Sequence, residues 1–121
     1  MEDDISITHE KHNEYTRCVV KGAALTSSYK TMQECIDKVI EEKVDSKRYL
    51  VFDFSEASMI SSTCINVINS RTEQLKKSKW ELVVISPPDE RGEIFELTGF
   101  NVIYPVYNSM EAFIAHKGIK E

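Results

Sequence analysis

The chain is poor in the residues from which several common sites are built. Its four glycines, at positions 22, 92, 99 and 118, never fall at the spacing of a phosphate-cradling loop. The three cysteines, Cys18, Cys35 and Cys64, are odd in number and widely spaced, which indicates neither a disulfide framework nor a zinc site. Thiols left reduced suit a cytosolic home. Of the three histidines, His9 and His12 lie beside an expected turn and His116 in the last expected helix, so no third ligand stands at a metal-like spacing and no metal is expected. No apolar run approaches the ~20 residues of a membrane-spanning helix, so no membrane partner is expected. Positive charge is not in excess either. At a net charge of −5 and with scattered lysines, the chain lacks the basic patch that nucleic acid requires. The densest basic group, Lys76, Lys77 and Lys79, falls where a helix is expected to end and complements its dipole. The opening MEDDISITHE is acidic where an export signal is basic and then apolar, which points to the cytoplasm.

What is present is an ordinary globular composition, 41% hydrophobic and 29% charged over 121 residues, enough for one domain over 1–121 with a core that needs no cross-links. Ile5 and Ile7 alternate with polar neighbours, 9–14 is polar, and 15–20 turns apolar again, which predicts a hairpin whose second strand ends at Gly22. Between 28 and 43, Met32, Cys35, Ile36, Val39 and Ile40 follow the spacing of an amphipathic helix, with Thr31 and Glu34 at capping-box separation. Residues 49–54 and 80–85 are nearly continuous apolar runs, as in strands covered on both faces. A second helix is predicted over 62–77, with Cys64, Val67, Ile68 and Leu75 inward. A third follows over 89–98, capped by Gly99. A last strand is expected over 102–106, then a helix with Asn108 and Glu111 at capping-box spacing, ended by Gly118. The order ββαβαβαβα calls for an α/β fold with a mixed, mostly parallel sheet of about five strands and about four helices.

Residues 59–69, MISSTCINVIN, follow the apolar strand and open a helix with Ser61, Ser62 and Thr63. Unpaired backbone N–H groups and the dipole favour negative charge there, so the position suits a phosphate. Val51-Phe52-Asp53-Phe54, Met59-Ile60 and Ser61-Ser62-Thr63-Cys64 together resemble the central motif of the STAS domain of anti-sigma factor antagonists, in which a strand and an apolar turn lead into Asp-Ser-Ser/Thr-Gly. The second half resembles the same family: Glu93-Ile94-Phe95-Glu96-Leu97-Thr98-Gly99-Phe100, Val102-Ile103-Tyr104 and Asn108-Ser109-Met110-Glu111-Ala112-Phe113 match its closing helix, strand and helix. The resemblance implies a regulatory domain that binds an anti-sigma factor acting also as a serine kinase. Phosphorylation would fall on Ser62, with Thr63 as its neighbour, and a phosphatase would reset it; a homodimer is compatible with this reading. The partner surface it implies comprises Gly22, Leu25, Ser61, Ser62, Thr63, Cys64 and Asn66. Ser61 stands where the family has aspartate and Cys64 where it has glycine, while Gly22-Ala23-Ala24-Leu25 replaces Gly-Glu-Leu-Asp. Both carboxylates of the family's acceptor neighbourhood are therefore replaced.

Other classes fit less well. The plainest reading of Ser61, Ser62 and Thr63 is helix capping alone, which would leave an unphosphorylated scaffold of the same fold in a signalling complex. A thiol enzyme using Cys64 would draw on the dipole to lower the thiol pKa, yet Cys64 to Arg71 encloses six residues and no glycine, where a tyrosine-phosphatase loop encloses five. Cys64 reads better as a small core hydrophobe. A receiver domain would use Asp53 as phosphoacceptor, but Asp3 and Asp4 precede the first strand, and Tyr107-Asn108-Ser109 rather than a lysine comes directly after the last one. Asp53 reads better as a turn carboxylate. No histidine lies near a plausible nucleophile, so no catalytic residue, no cofactor and no enzymatic activity are expected.

Overall fold

The computed structural model describes residues 5–42, 44 and 46–119. Asp3, Asp4 and the expected helix end at Lys43 lie outside the described residues. The elements run β1 (Ser6–Lys11), β2 (Tyr15–Ala24), a 3-10 turn (Thr26–Ser28), α1 (Tyr29–Glu41), β3 (Arg48–Asp53), β4 (Ala57–Ile60), α2 (Ser62–Ser70), α3 (Thr72–Lys77), β5 (Trp80–Ile85), a second 3-10 turn (Glu90–Gly92), α4 (Glu93–Leu97), α5 (Phe100–Ile103), β6 (Val106–Tyr107) and α6 (Met110–Lys117). The sheet has the order β1-β2-β3-β5-β6, with β4 attached to the far end of β2. β1 is antiparallel to β2, and every other pairing is parallel. This is the α/β architecture, with its hairpin and mixed sheet, that the element order predicts.

Alternation along the strands divides the core in two. Cys18, Val20, Leu50, Phe52, Leu82 and Val84 point to one face, where Met32, Ile36 and Val39 of α1, Cys64, Ile65 and Ile68 of α2, Leu75 of α3 and Phe95 of α4 cover them. Tyr15, Val51, Val83 and Ile85 point to the other, under Phe113 of α6. Phe113 makes edge-to-face contacts with Tyr15, Tyr49 and Tyr107, and these hold α6 to the sheet. Arg48 fixes the hairpin, donating to the carbonyls of His12 and Asn13 at 2.8 and 2.7 Å.

Several local expectations are corrected. Residues 57–60 form a short strand, not a turn, because the end of β2 gives their backbone a partner. Helix 62–77 divides at Arg71 (φ −105°, ψ −1°), whose guanidinium pairs with Asp37 of α1 at 3.1 Å. Thr72 begins the next helix with its hydroxyl donating to Asn69 O at 3.0 Å. The strand expected over 102–106 shrinks to Val106–Tyr107, since the left-handed Gly99 (φ 75°) restarts a helix at Phe100. Pro105 then forces Tyr104 into an extended conformation. α1 begins at Tyr29, so Thr31 and Glu34 are inside it, and Ser109 rather than Asn108 caps α6 by accepting from Ala112 N at 3.0 Å. Gly118 ends α6 in the left-handed region, as expected.

Candidate partner-binding site

Two stretches far apart in sequence meet at the C-terminal end of the parallel strands, the end at which open α/β sheets carry their functional sites. β4 runs parallel to the end of β2, with Gly22 opposite Ala57, Ala23 opposite Met59 and Ala24 opposite Ile60. Ser61 N extends the ladder by donating to Ala24 O at 2.8 Å, and the Cys64 thiol donates to Leu25 O at 3.3 Å. Gly22, Leu25, Ser61, Ser62, Thr63, Cys64 and Asn66 thereby share one neighbourhood, and β4, absent from the sequence reading, is what assembles it.

Each part of this neighbourhood has a local cause. Gly22 adopts φ 86° at the point where the β2 register shifts, a bulge with a backbone that side-chain-bearing residues resist. β2 therefore continues past Gly22 instead of ending there. The buried Ser28 hydroxyl closes the loop that follows, accepting from Leu25 N at 3.1 Å and donating to Ala23 O at 3.3 Å. Ser61 is extended (φ −93°, ψ 155°), and its hydroxyl accepts from Cys64 N at 3.4 Å, a long capping bond to α2. Ser62 is the first residue of α2 and is exposed, as is Asn66, while Thr63 is half-buried and Cys64 and Ile65 are buried. From behind, Arg91 donates to Ala57 O at 2.6 Å and is itself gripped by Asp89.

The electrostatics of this surface follow from the sequence. No charged residue stands between Lys21 and Lys30 or between Glu56 and Arg71. Apart from the partial positive end of α2, the two segments are neutral. Met59, 54% exposed, and Tyr29, 42% exposed, add apolar area to them. Such a surface can be buried against a partner without stripping water from a charge. Ser62 puts a hydroxyl within it, beside the α2 amides.

The rival chemistries meet specific obstacles. Cys64 is fully buried and its hydrogen points at a carbonyl, the arrangement of a core thiol. Asp53 ends β3 with a side chain only 1% exposed. Its Oδ1 accepts from Ser55 N at 2.9 Å, the turn role expected of it, and its Oδ2 accepts from Arg17 Nε at 2.9 Å. A carboxylate that is only 1% exposed and held by three hydrogen bonds is closed to an incoming phosphoryl group. The sequence reading overlooked Arg17. The available signal was a cation just before the apolar run Cys18-Val19-Val20 of β2, which needs a partner on the neighbouring strand. It also missed a gathering of His9, Cys18 and Cys35, which no regular spacing announces and which strand pairing creates.

Comparison with known proteins agrees with this geometry. The family model of the STAS domain matches residues 8–112. BtrV of Bordetella bronchiseptica, named as a candidate anti-sigma factor antagonist, is 34% identical over 83 residues, covering 68% of this chain and 72% of that protein. Among solved structures, an anti-sigma factor antagonist from Mycobacterium paratuberculosis superposes with a TM-score of 0.74 at 22% identity, over 93% of each chain. The anti-sigma factor antagonist SpoIIAA in its unphosphorylated form does so with a TM-score of 0.68 at 15% identity, over 96% of this chain and 100% of that one. These two likenesses establish the fold.

Proposed function

The chain belongs to the STAS domain family and is anti-sigma factor antagonist-like, and on that premise we propose that it is a cytoplasmic regulator acting by binding, with Ser62 as its switch. Its partner is an anti-sigma factor that is also a serine kinase. The unmodified domain docks through the 22–28 loop and residues 61–66; phosphorylation of Ser62 ends the docking, and a phosphatase restores it. The observation that carries the reading is the exposed Ser62 hydroxyl, opening α2 where the two adjoining segments, 22–29 and 57–70, carry no charged residue.

Phosphorylation adds about −1.5 to −2 charges at pH 7. In the free domain that charge faces water and the amides of α2, which favour it. In the complex it would be desolvated between two segments that supply no cation of their own, so phosphorylation penalises the bound state and spares the free one. No helix among the described residues is long and apolar enough to cross a membrane.

The test is mass spectrometry on the chain isolated from its own cells under phosphatase inhibition, in growing and in stressed cultures, with Ser62→Asp and Ser62→Ala variants alongside. A phosphoryl group on Ser62 whose occupancy changes, and a partner retained by Ser62→Ala but lost by Ser62→Asp, are expected. A chain unmodified at Ser62 and Thr63 in both cultures refutes the switch. A second reading then applies. The Cys64 thiol bonded to Leu25 O ties α2 to the loop where the family has a glycine, as suits an unphosphorylated scaffold, and in that case Ser62→Asp leaves co-purification unchanged.

A further inference from the structure

On the α1 side of the sheet, away from the docking surface, β1, β2 and α1 bring three metal-binding side chains together. The antiparallel register sets His9 opposite Cys18, and Cys35 meets them from the buried side of α1. His9 Nε2 is 3.4 Å from Cys35 Sγ, and Cys35 Sγ is 3.9 Å from Cys18 Sγ. All three donor atoms lie within 4.8 Å of one another. In a tetrahedral site with zinc–sulfur bonds of about 2.3 Å and zinc–nitrogen bonds of about 2.0 Å, sulfurs stand about 3.8 Å apart and sulfur and nitrogen about 3.5 Å apart. The two observed separations match those edges to within a few tenths of an ångström. Both thiols are buried, and His9 borders a cavity of about 300 Å³ lined by His9, Lys11, Thr16, Lys38, Val39 and Glu42.

We propose that His9 Nε2, Cys18 Sγ and Cys35 Sγ bind one thiophilic divalent cation, Zn²⁺, with a fourth position left to water from the adjoining cavity. Charge selects the divalent ion. Two thiolates and a neutral imidazole around Zn²⁺ sum to zero, which a buried site tolerates, whereas a monovalent ion would leave a net negative charge. The ligands arrive in complementary states. Burial and Lys38 lower the His9 pKa against the opposing pull of Glu42, which favours the neutral imidazole that a metal needs. The Cys18 pKa is pushed up, first by its hydrogen bond with Cys35 and then by burial. Binding is accordingly an exchange: the cation takes the places of the Cys18 and Cys35 protons, two protons pass to solvent, and no electron moves. The bound ion ties the edge strand β1 to β2 and to α1, the helix that follows the docking loop.

The site stands independently of the docking reading and is tested on the reduced, metal-free full chain under anaerobic conditions. Titration with Co²⁺ as a spectroscopic probe is expected to give thiolate-to-cobalt charge transfer and tetrahedral d–d bands that saturate at one equivalent. Zn²⁺ then bleaches them by displacing Co²⁺ with no further proton release, whereas Zn²⁺ added directly to the metal-free chain releases two protons. His9→Gln changes an exposed residue and keeps the core, and should weaken Zn²⁺ binding by at least about tenfold, since even outer-shell substitutions cost 10- to 100-fold. Cys35→Ala should abolish the charge-transfer band, and Cys64→Ser should leave it intact. Absence of thiolate charge transfer, equal Zn²⁺ affinity in His9→Gln and the native chain, or tight binding of Cu⁺ without Zn²⁺ would overturn the proposal.

Discussion

The ion pair between Arg17 and Asp53 makes an asymmetric prediction about stability. Asp53 is 1% exposed and Arg17 25% exposed at the side chain. Arg17 Nε and Nη2 both reach Asp53 Oδ2, while Arg17 Nη1 holds a second partner, Glu10, at 3.3 Å. Removing either member therefore strands groups of very different exposure. Arg17→Met keeps most of the side-chain bulk but leaves a buried carboxylate with only the Ser55 bond. Breaking a fully buried pair in this way costs ~3–5 kcal/mol; because a quarter of Arg17 meets water, the lower end applies, about 3 kcal/mol. Asp53→Asn keeps the Ser55 bond and leaves Arg17 with Glu10 and water, at about 1–2 kcal/mol. The double variant has no stranded charge, so its cost should fall short of the sum of the single costs by ~2 kcal/mol. Urea unfolding followed by fluorescence of Trp80, the chain's sole tryptophan and 1% exposed, measures all three. Asp53→Asn costing as much as Arg17→Met, or simple additivity, would refute the assignment of a buried, charge-dependent bond.

Two further outcomes are expected. The lowered His9 pKa means that the unfolded, metal-free chain takes up a proton the folded chain refuses as pH drops below 6.5, so stability is full above that value and declines towards the folded pKa. Urea midpoints of the native chain should fall more over that interval than those of His9→Gln, and parallel slopes would exclude the coupling. Cys64 should react with iodoacetamide only as fast as the structure opens, and at the rate of a free thiol in urea. Native-state alkylation of Cys64 faster than a model thiol would reinstate a reactive thiolate in α2.

Elements defined by their own periodicity were legible in the sequence. α1 buries Met32, Cys35, Ile36 and Val39, the spacing that announces it, and the continuous apolar runs of β3 and β5 are the strands covered on both faces. Elements defined by a distant partner were not. β4 has only Ala57 and Ile60 buried, so it lacks strand alternation, and its structure depends on the freed end of β2. Val102 and Ile103 are apolar yet 85% and 67% exposed, and their hydrophobicity mimics a strand that Gly99 and Pro105 prevent. The candidate site divides the same way. Ser61, Ser62 and Thr63 could be placed at a helix start from sequence alone. That they adjoin Gly22 and Leu25 comes from a bulge and a four-residue strand.

The number of pins on the candidate surface bears on how a single charge could act there. If the 22–28 loop and the start of α2 were free to move, a phosphate on Ser62 could swing into solvent while the rest of the surface stayed docked. The structure opposes that escape at four points: Ser28 closes the loop, Cys64 ties α2 to Leu25, Arg91 holds Ala57, and Asp53 sets the turn into β4 through Ser55. Net contributions of about 1 kcal/mol each make every pin modest alone. They act on one short stretch, however, so moving Ser62 with its backbone means breaking several together. The cost of a new charge then falls on affinity for the partner rather than on local rearrangement. Under the proposed Ser62 switch, loosening the Cys64–Leu25 bond with Cys64→Ala should therefore weaken the effect of Ser62→Asp on partner binding, and under the scaffold reading Cys64→Ala leaves the indifference to Ser62→Asp unchanged.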